Sequence, residues 1–206
     1  MRMHISRCGL LAALGAMFFI RFAAPVLAQA PNAASNPVAN PAGFPVVTYG
    51  MGPPVKIHMN GEVVEFIPIR AAHTGGDTNI KFAKANVLFI GDFYRNYGYP
   101  YIDINNGGSL KGMLAGLDLT MQSADASTII VPGHGTLIKR DDIIPYRDMI
   151  LGVQDAVQKM IAQGKTLQEV LAAKVTATYD AKTAGGTSSS TERFVTAVYR
   201  ELGGKP

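Results

Sequence analysis

Three short runs in this chain carry side chains able to hold a metal, and each run follows an apolar stretch. After Ile69 comes Arg70-Ala71-Ala72-His73-Thr74-Gly75-Gly76-Asp77-Thr78; after Ile90 comes Gly91-Asp92; after Val131 comes Pro132-Gly133-His134-Gly135. Imidazole, carboxylate and imidazole together suit a borderline-soft metal ion. Taken alone, Gly-Asp reads as a turn and Pro-Gly-His-Gly as a loop with a surface histidine. The repetition after three separate strands is what points to ligation, because layered α/β folds bind ligands at the carboxyl ends of their strands. Asp77 has two readings of equal weight: it orients His73 by accepting the second ring N–H, or it simply forms the turn. His58 alternates with Ile57 and Met59 and is expected to face solvent.

The elements that must position these residues are legible from periodicity. Val55-Lys56-Ile57-His58-Met59 alternates like a half-exposed strand, and Asn60-Gly61 is the dipeptide that best accepts a tight hairpin turn. Val63-Val64-Glu65-Phe66-Ile67-Pro68-Ile69 is the return strand. Val87-Leu88-Phe89-Ile90 and Thr128-Ile129-Ile130-Val131 are short continuous apolar runs, which suit strands buried on both faces. Leu110, Met113, Leu114, Leu117 and Met121 repeat at helical spacing after Ser109. A longer helix is expected over 141–162, with Pro145 tolerated in its first turn. Thr166 and Glu169 form a capping box for a helix to 174, and 177–188 reads as a polar loop. Ser189 and Glu192 form a second box, opening a last helix that closes at Gly203-Gly204. The order is hairpin, strand, helix, strand and three helices, an α/β layer structure.

The first 28 residues have the order of a secretory signal: Arg2 and Arg7, an apolar run from Cys8 to Ile20, then Val26-Leu27-Ala28 before Gln29. The apolar run is too short to span a bilayer, so no stable membrane span is expected after cleavage. Export to the periplasm or the medium is the expectation. The segment carries three of the 19 basic side chains and none of the 15 acidic ones, which leaves 16 against 15 and a net charge of +1. That balance gives no support to nucleic-acid binding. Cys8 is the single cysteine and leaves with the signal, so no disulfide is expected. Residues 29–43, rich in Ala, Asn and Pro, read as a linker, and 44–206 as one domain.

Ala72-His73-Thr74-Gly75-Gly76-Asp77-Thr78, Ile90-Gly91-Asp92 and Pro132-Gly133-His134-Gly135, in this order, resemble the later metal-ligand motifs of the metallo-β-lactamase-fold hydrolases. The resemblance runs from about Val46 to Leu202, through Gly107-Gly108-Ser109 and Tyr146-Arg147-Asp148-Met149. It implies an αββα sandwich with zinc at one edge of its sheets, and hydrolysis of a small-molecule ester, amide or thioester by a zinc-activated water. It also implies that His73 is a terminal ligand of a first metal, Asp92 bridges two metals and His134 is a terminal ligand of the second. The family's earlier His-x-His-x-Asp-His motif is missing. Between Ala28 and His73 the only histidine is His58, and there is no aspartate. The expectation is therefore a partial domain lacking its N-terminal half, with no catalytic residue assigned and an impaired site. The alternative is a non-catalytic exported half-domain. A sheet face left without cover further predicts self-association or a complementary partner chain.

Overall fold

Asn60 and Gly61, at φ 52° and 75°, make the tight turn their types allow, and they pair β1 (Val55–Met59) with β2 (Glu62–Pro68). This computed structural model describes residues 48–183 and 188–204. The expected signal, 1–28, and linker, 29–43, lie outside the described residues. So do 184–187 of the expected polar loop, whereas Ser189, the expected cap of the last helix, is described and lies one residue inside a helix that starts at Ser188.

β2 runs antiparallel to β3 (Thr78–Phe82), and β3 runs antiparallel to β4 (Val87–Gly91). Chain reversal at β3–β4 uses Asn86 at φ 52°. α1 (Leu110–Ser123) then crosses over to β5 (Ile129–Pro132), which lies parallel to β4. The sheet order is β1-β2-β3-β4-β5. After it come α2 (Ile143–Ala162), α3 (Leu167–Ala172), α4 (Ala177–Asp180) and α5 (Ser188–Glu201).

Two elements differ from the sequence expectation. β3 is a fifth strand in a stretch to which the sequence reading assigns no element. Its central Asn79 is fully buried and donates to Thr120 of α1 at 2.9 Å, so a polar residue occupies a core position. α4 is a helical turn inside the expected polar loop, pinned where Tyr99 donates to Asp180 and to the Thr176 carbonyl.

The sheet has two unequal faces. Leu88, Ile90 and Ile130 point into the core with Met113 and Leu117 of α1, Ile150 and Val153 of α2, and Phe194 and Val198 of α5. Lys81, on the same face, donates to the carbonyl of Ser123 at the end of α1. The other face carries Ile57, Met59, Val64, Phe66, Ile80, Phe82, Val87, Phe89, Ile129 and Val131, as the strand register requires. Phe66 and Ile80 are buried there, whereas Ile57, Met59 and Ile129 are 37–39% exposed. The expectation of burial on both faces therefore fails at β5, where Ile129 is exposed, while β1, expected to be half-exposed, is open to solvent along most of its length; among the described residues these two are the outer strands of the sheet.

Helix ends follow the sequence closely. The Ser109 hydroxyl accepts from the Gly112 N–H, and Glu201 of α5 accepts from the amides of Leu110 and Lys111. A side chain from the last helix thereby closes the first turn of α1. Thr166 and Glu169 form the expected capping box. Lys165 and the Thr166 amide and hydroxyl hold the Glu169 carboxylate down at a pKa of about 2. Gly203, at φ 82°, ends α5 in the left-handed conformation that glycine accepts freely.

Candidate metal centre

His73 sits in the loop between β2 and β3, and nearly every backbone group of that loop is tied down. The amide of Ser109 donates to Ala72, that of Asp103 to His73, and that of Gly75 to Asn106, at 2.8–2.9 Å. The Ser109 hydroxyl also donates to Ala71. Such closeness needs glycine on the opposing segment. A Cβ at Gly108 would stand 2.3 Å from the His73 carbonyl oxygen, and one at Gly112 1.5 Å from that of Ala71.

Asp77 is part of this clamp. Its Oδ2 accepts from the amides of Ala72 and Thr74, at 3.2 and 3.0 Å. It therefore acts on the backbone either side of His73 and not on the ring. Burial pushes its carboxyl pKa up, against the lowering effect of those two amides. The ring is oriented elsewhere: His73 Nδ1 lies 2.7 Å from the Tyr101 carbonyl oxygen. A carbonyl can only accept, so Nδ1 bears the proton and a neutral ring keeps its lone pair at Nε2.

That Nε2 lies 3.8 Å from Asp92 Oδ2. On the other oxygen, Asp92 Oδ1 lies 3.5 Å from His134 Nε2. Asp92 follows Gly91 at the end of β4, where φ is 66°. The Gly133 amide donates to the Gly91 carbonyl at 2.7 Å, which brings the β5 loop against it. A Cβ at Gly133 would stand 1.9 Å from Asp92 Oδ1, so the bare backbone sets the carboxylate's place. The loop beyond is held by Asn96, which accepts from the Thr136 amide and donates to its hydroxyl. Burial falls steeply across the three side chains, from 15% exposed at His73 through 33% at Asp92 to 60% at His134.

The fold thus brings His73, Asp92 and His134 to one place. His58 is elsewhere, exposed on edge strand β1 opposite Val63. Zinc bound by nitrogen and oxygen at ~2.0–2.2 Å in tetrahedral geometry holds two donors ~3.4 Å apart. The two His–Asp separations are of that size. Each pair, however, supplies two donors, and a catalytic zinc keeps three protein ligands. Among the described residues no group of three or more His, Cys, Asp or Glu is placed to hold one ion. The residues present fit two half-occupied coordination shells sharing Asp92, so no reaction step is drawn through a metal here.

Sequence reasoning missed Tyr101, Asn96 and the glycines at 108, 112 and 133 as parts of the site. A backbone carbonyl has no side-chain signature, and Asn96 is one polar residue in an irregular stretch. Gly108 and Gly133 were visible in the Gly107-Gly108-Ser109 and Pro132-Gly133-His134-Gly135 runs and Gly112 only as a helix residue, but the function of all three is close approach to Ala71, His73 and Asp92.

No protein-family model and no curated protein matches the sequence. Solved structures do. A double mutant of the sec-alkyl sulfatase PisA1 matches at TM-score 0.59 and 17% identity, over 75% of this chain and 26% of that one. The stereoselective inverting sec-alkylsulfatase Pisa1 from Pseudomonas sp. matches at TM-score 0.56 and 19% identity, over 74% of this chain and 26% of that one. A metallo-beta-lactamase from Pontibacter korlensis matches at TM-score 0.45 and 16% identity, over 53% and 50% of the two chains. Over about three quarters of its length the chain shares the fold of the matching part of these sec-alkylsulfatases. The chain spans about a quarter of the length of the sulfatases it matches.

Proposed function

We propose that this chain is an exported, metallo-β-lactamase-fold hydrolase-like protein whose own residues supply only part of a zinc site. His73 and His134 are its terminal ligands and Asp92 the carboxylate between them. Asp77 holds the His73 loop, and Tyr101 holds the His73 ring. A zinc ion in such a site would activate a water toward an ester, amide or thioester carbonyl. The observation that carries the reading is the pairing of each Asp92 oxygen with one imidazole Nε2, at 3.8 and 3.5 Å. With two donors per ion, zinc is held weakly and hydrolysis is slight. The test is zinc content after dialysis of the purified protein, together with ester and lactam turnover. Zinc largely lost and turnover near background is the expected result. Tightly retained zinc with turnover abolished by Asp92→Ala would make the chain a full enzyme and overturn the reading.

A second reading, a non-catalytic half-domain that binds another chain or another copy of itself, is favoured by one observation. Ile57, Met59 and Ile129, on the sheet face away from the helices, are more than a third exposed. Export is part of the proposal and rests on the residues of 1–28. Among the described residues no helix is long and apolar enough to cross a membrane. A processed N-terminus at Gln29 in periplasmic or secreted material is the expected result, and intact Met1 in the cytosol is the contrary one.

A further inference from the structure

Of the four tyrosines in the loop that leaves Asp92, two, Tyr97 and Tyr101, hold a guanidinium over the ring. Arg95 lies 5.4 Å from the centroid of Tyr97, and Arg193, on α5, lies 4.3 Å from that of Tyr101. Tyr101 is the residue whose carbonyl orients His73, and its ring also meets the His73 ring edge-on at 5.2 Å. One aromatic ring therefore separates the Arg193 guanidinium from a candidate metal ligand.

Neither guanidinium pairs with a carboxylate among the described residues. Arg140 and Arg147, by contrast, are neutralised by Asp141 and Asp118 at 2.8 and 2.6 Å. The Arg95 Nε is moreover buried without a hydrogen-bond partner. An aromatic face fixes a guanidinium plane without using its N–H donors, so the donors stay free for a planar or tetrahedral oxyanion. Ordering two long cationic side chains costs entropy and repays little at a surface. A ligand that takes up the free donors would repay it. The charge balance of the site needs such cations if the ligand is negative, because Asp92 would repel an anion.

We propose that the site takes a substrate bearing an ionised oxyanion group (carboxylate, sulfate or phosphate), which the Arg193 fork binds beside Tyr101 while Arg95 adds attraction from the same loop. This names the substrate class for the hydrolytic reading above and rests on it. Arg193 is thus a specificity residue of the site, one that binds the anionic group away from the bond to be cut.

The test uses zinc-free protein, so that its failure is distinct from failure of zinc binding, which is read separately by metal titration. Inorganic sulfate, phosphate and acetate are each titrated at constant ionic strength against chloride, at about pH 8, where an ordinary histidine is neutral. The readout is the nuclear magnetic resonance signals of the Tyr101 ring and the Arg193 side chain. The expected result is a saturable shift of both signals with at least one of the three anions. The anion that saturates lowest names the group. The midpoint should rise about tenfold or more in Arg193→Gln and less in Arg193→Lys, which keeps the charge and loses the fork. It should not move in Lys56→Gln, whose cation is paired with Glu65 on β2. Shifts that never saturate, or that are unchanged in a folded Arg193→Gln, would show that Arg193 only packs on the ring and would overturn the proposal.

Discussion

The loop carrying His73 and the loop carrying His134 reach the two oxygens of one carboxylate, yet they are held very differently. Around His73 the chain is sutured to the segment that opens α1 by four hydrogen bonds, from Ser109 twice, Asp103 once and back to Asn106 once. Its ring is fixed by Tyr101 and its flanks by Asp77. Around His134 five successive residues, 133–137, are exposed. There the fixed points are the Gly133–Gly91 bond, the Asn96–Thr136 pair and the Ile130–Ile138 bridge at the loop's far end. Folding thus meets the cost of ordering the first ligand in advance, whereas ordering the second is left to whatever binds. A site built this way binds metal less tightly than one with both imidazoles fixed.

The strongest way to break that contrast is to attack the suture. Gly112→Ala places a Cβ 1.5 Å from the Ala71 carbonyl oxygen. Although alanine favours a helix over glycine, the backbone contact should dominate, with a loss of about 2–4 kcal/mol in urea unfolding. Wild-type stability would show that the His73 loop moves aside freely and is no better fixed than the other.

Gly133→Ala attacks the looser side. Its Cβ meets the Asp92 side chain, which is a third exposed and can swing. The expected stability loss is about 1 kcal/mol or less, while zinc affinity falls about tenfold because the shared carboxylate has moved. A larger loss of stability than in Gly112→Ala would reverse the ranking of the two loops.

How far the sequence reveals this contrast depends on the kind of signal each part leaves. Ile69, Ile90 and Val131 end apolar runs and are each followed within four residues by a ligand-type side chain with small residues beside it, so all three loop positions were legible. β3 was not: Thr78–Phe82 has only Ile80 and Phe82 as apolar members, and its buried Asn79 depends on Thr120, 41 residues away, for its partner. α4 was hidden likewise, since Tyr99 fixes it from 81 residues away at Asp180. The difference between the two histidines could not be read at all. It resides in backbone carbonyls at Ala71, Ala72, His73 and Tyr101, which every residue type possesses.

The smallest expected effect concerns pH. Burial raises the Asp77 carboxyl above its ordinary value, so its ionised form is disfavoured in the folded chain. The contribution is fully present below the unfolded carboxyl value of about 3.9 and is lost as pH rises through the folded value. Asp77→Asn keeps an acceptor for the amides of Ala72 and Thr74 and should flatten the fall of Tm with pH from about pH 4 upward. A curve steeper than wild type would mean that the charge on Asp77 supports the His73 loop.

Calorimetric zinc titration of wild type, His73→Ala, His134→Ala and Asp92→Ala tests the central claim most directly, because all three side chains are read on one scale. Weak wild-type binding is predicted. It should be lost in Asp92→Ala, which deprives both imidazoles of their shared partner. His73→Ala should weaken it more than His134→Ala, since the prepositioned ligand contributes more than the exposed one. Tight binding that survives Asp92→Ala, or identical losses from the two histidines, would contradict the account.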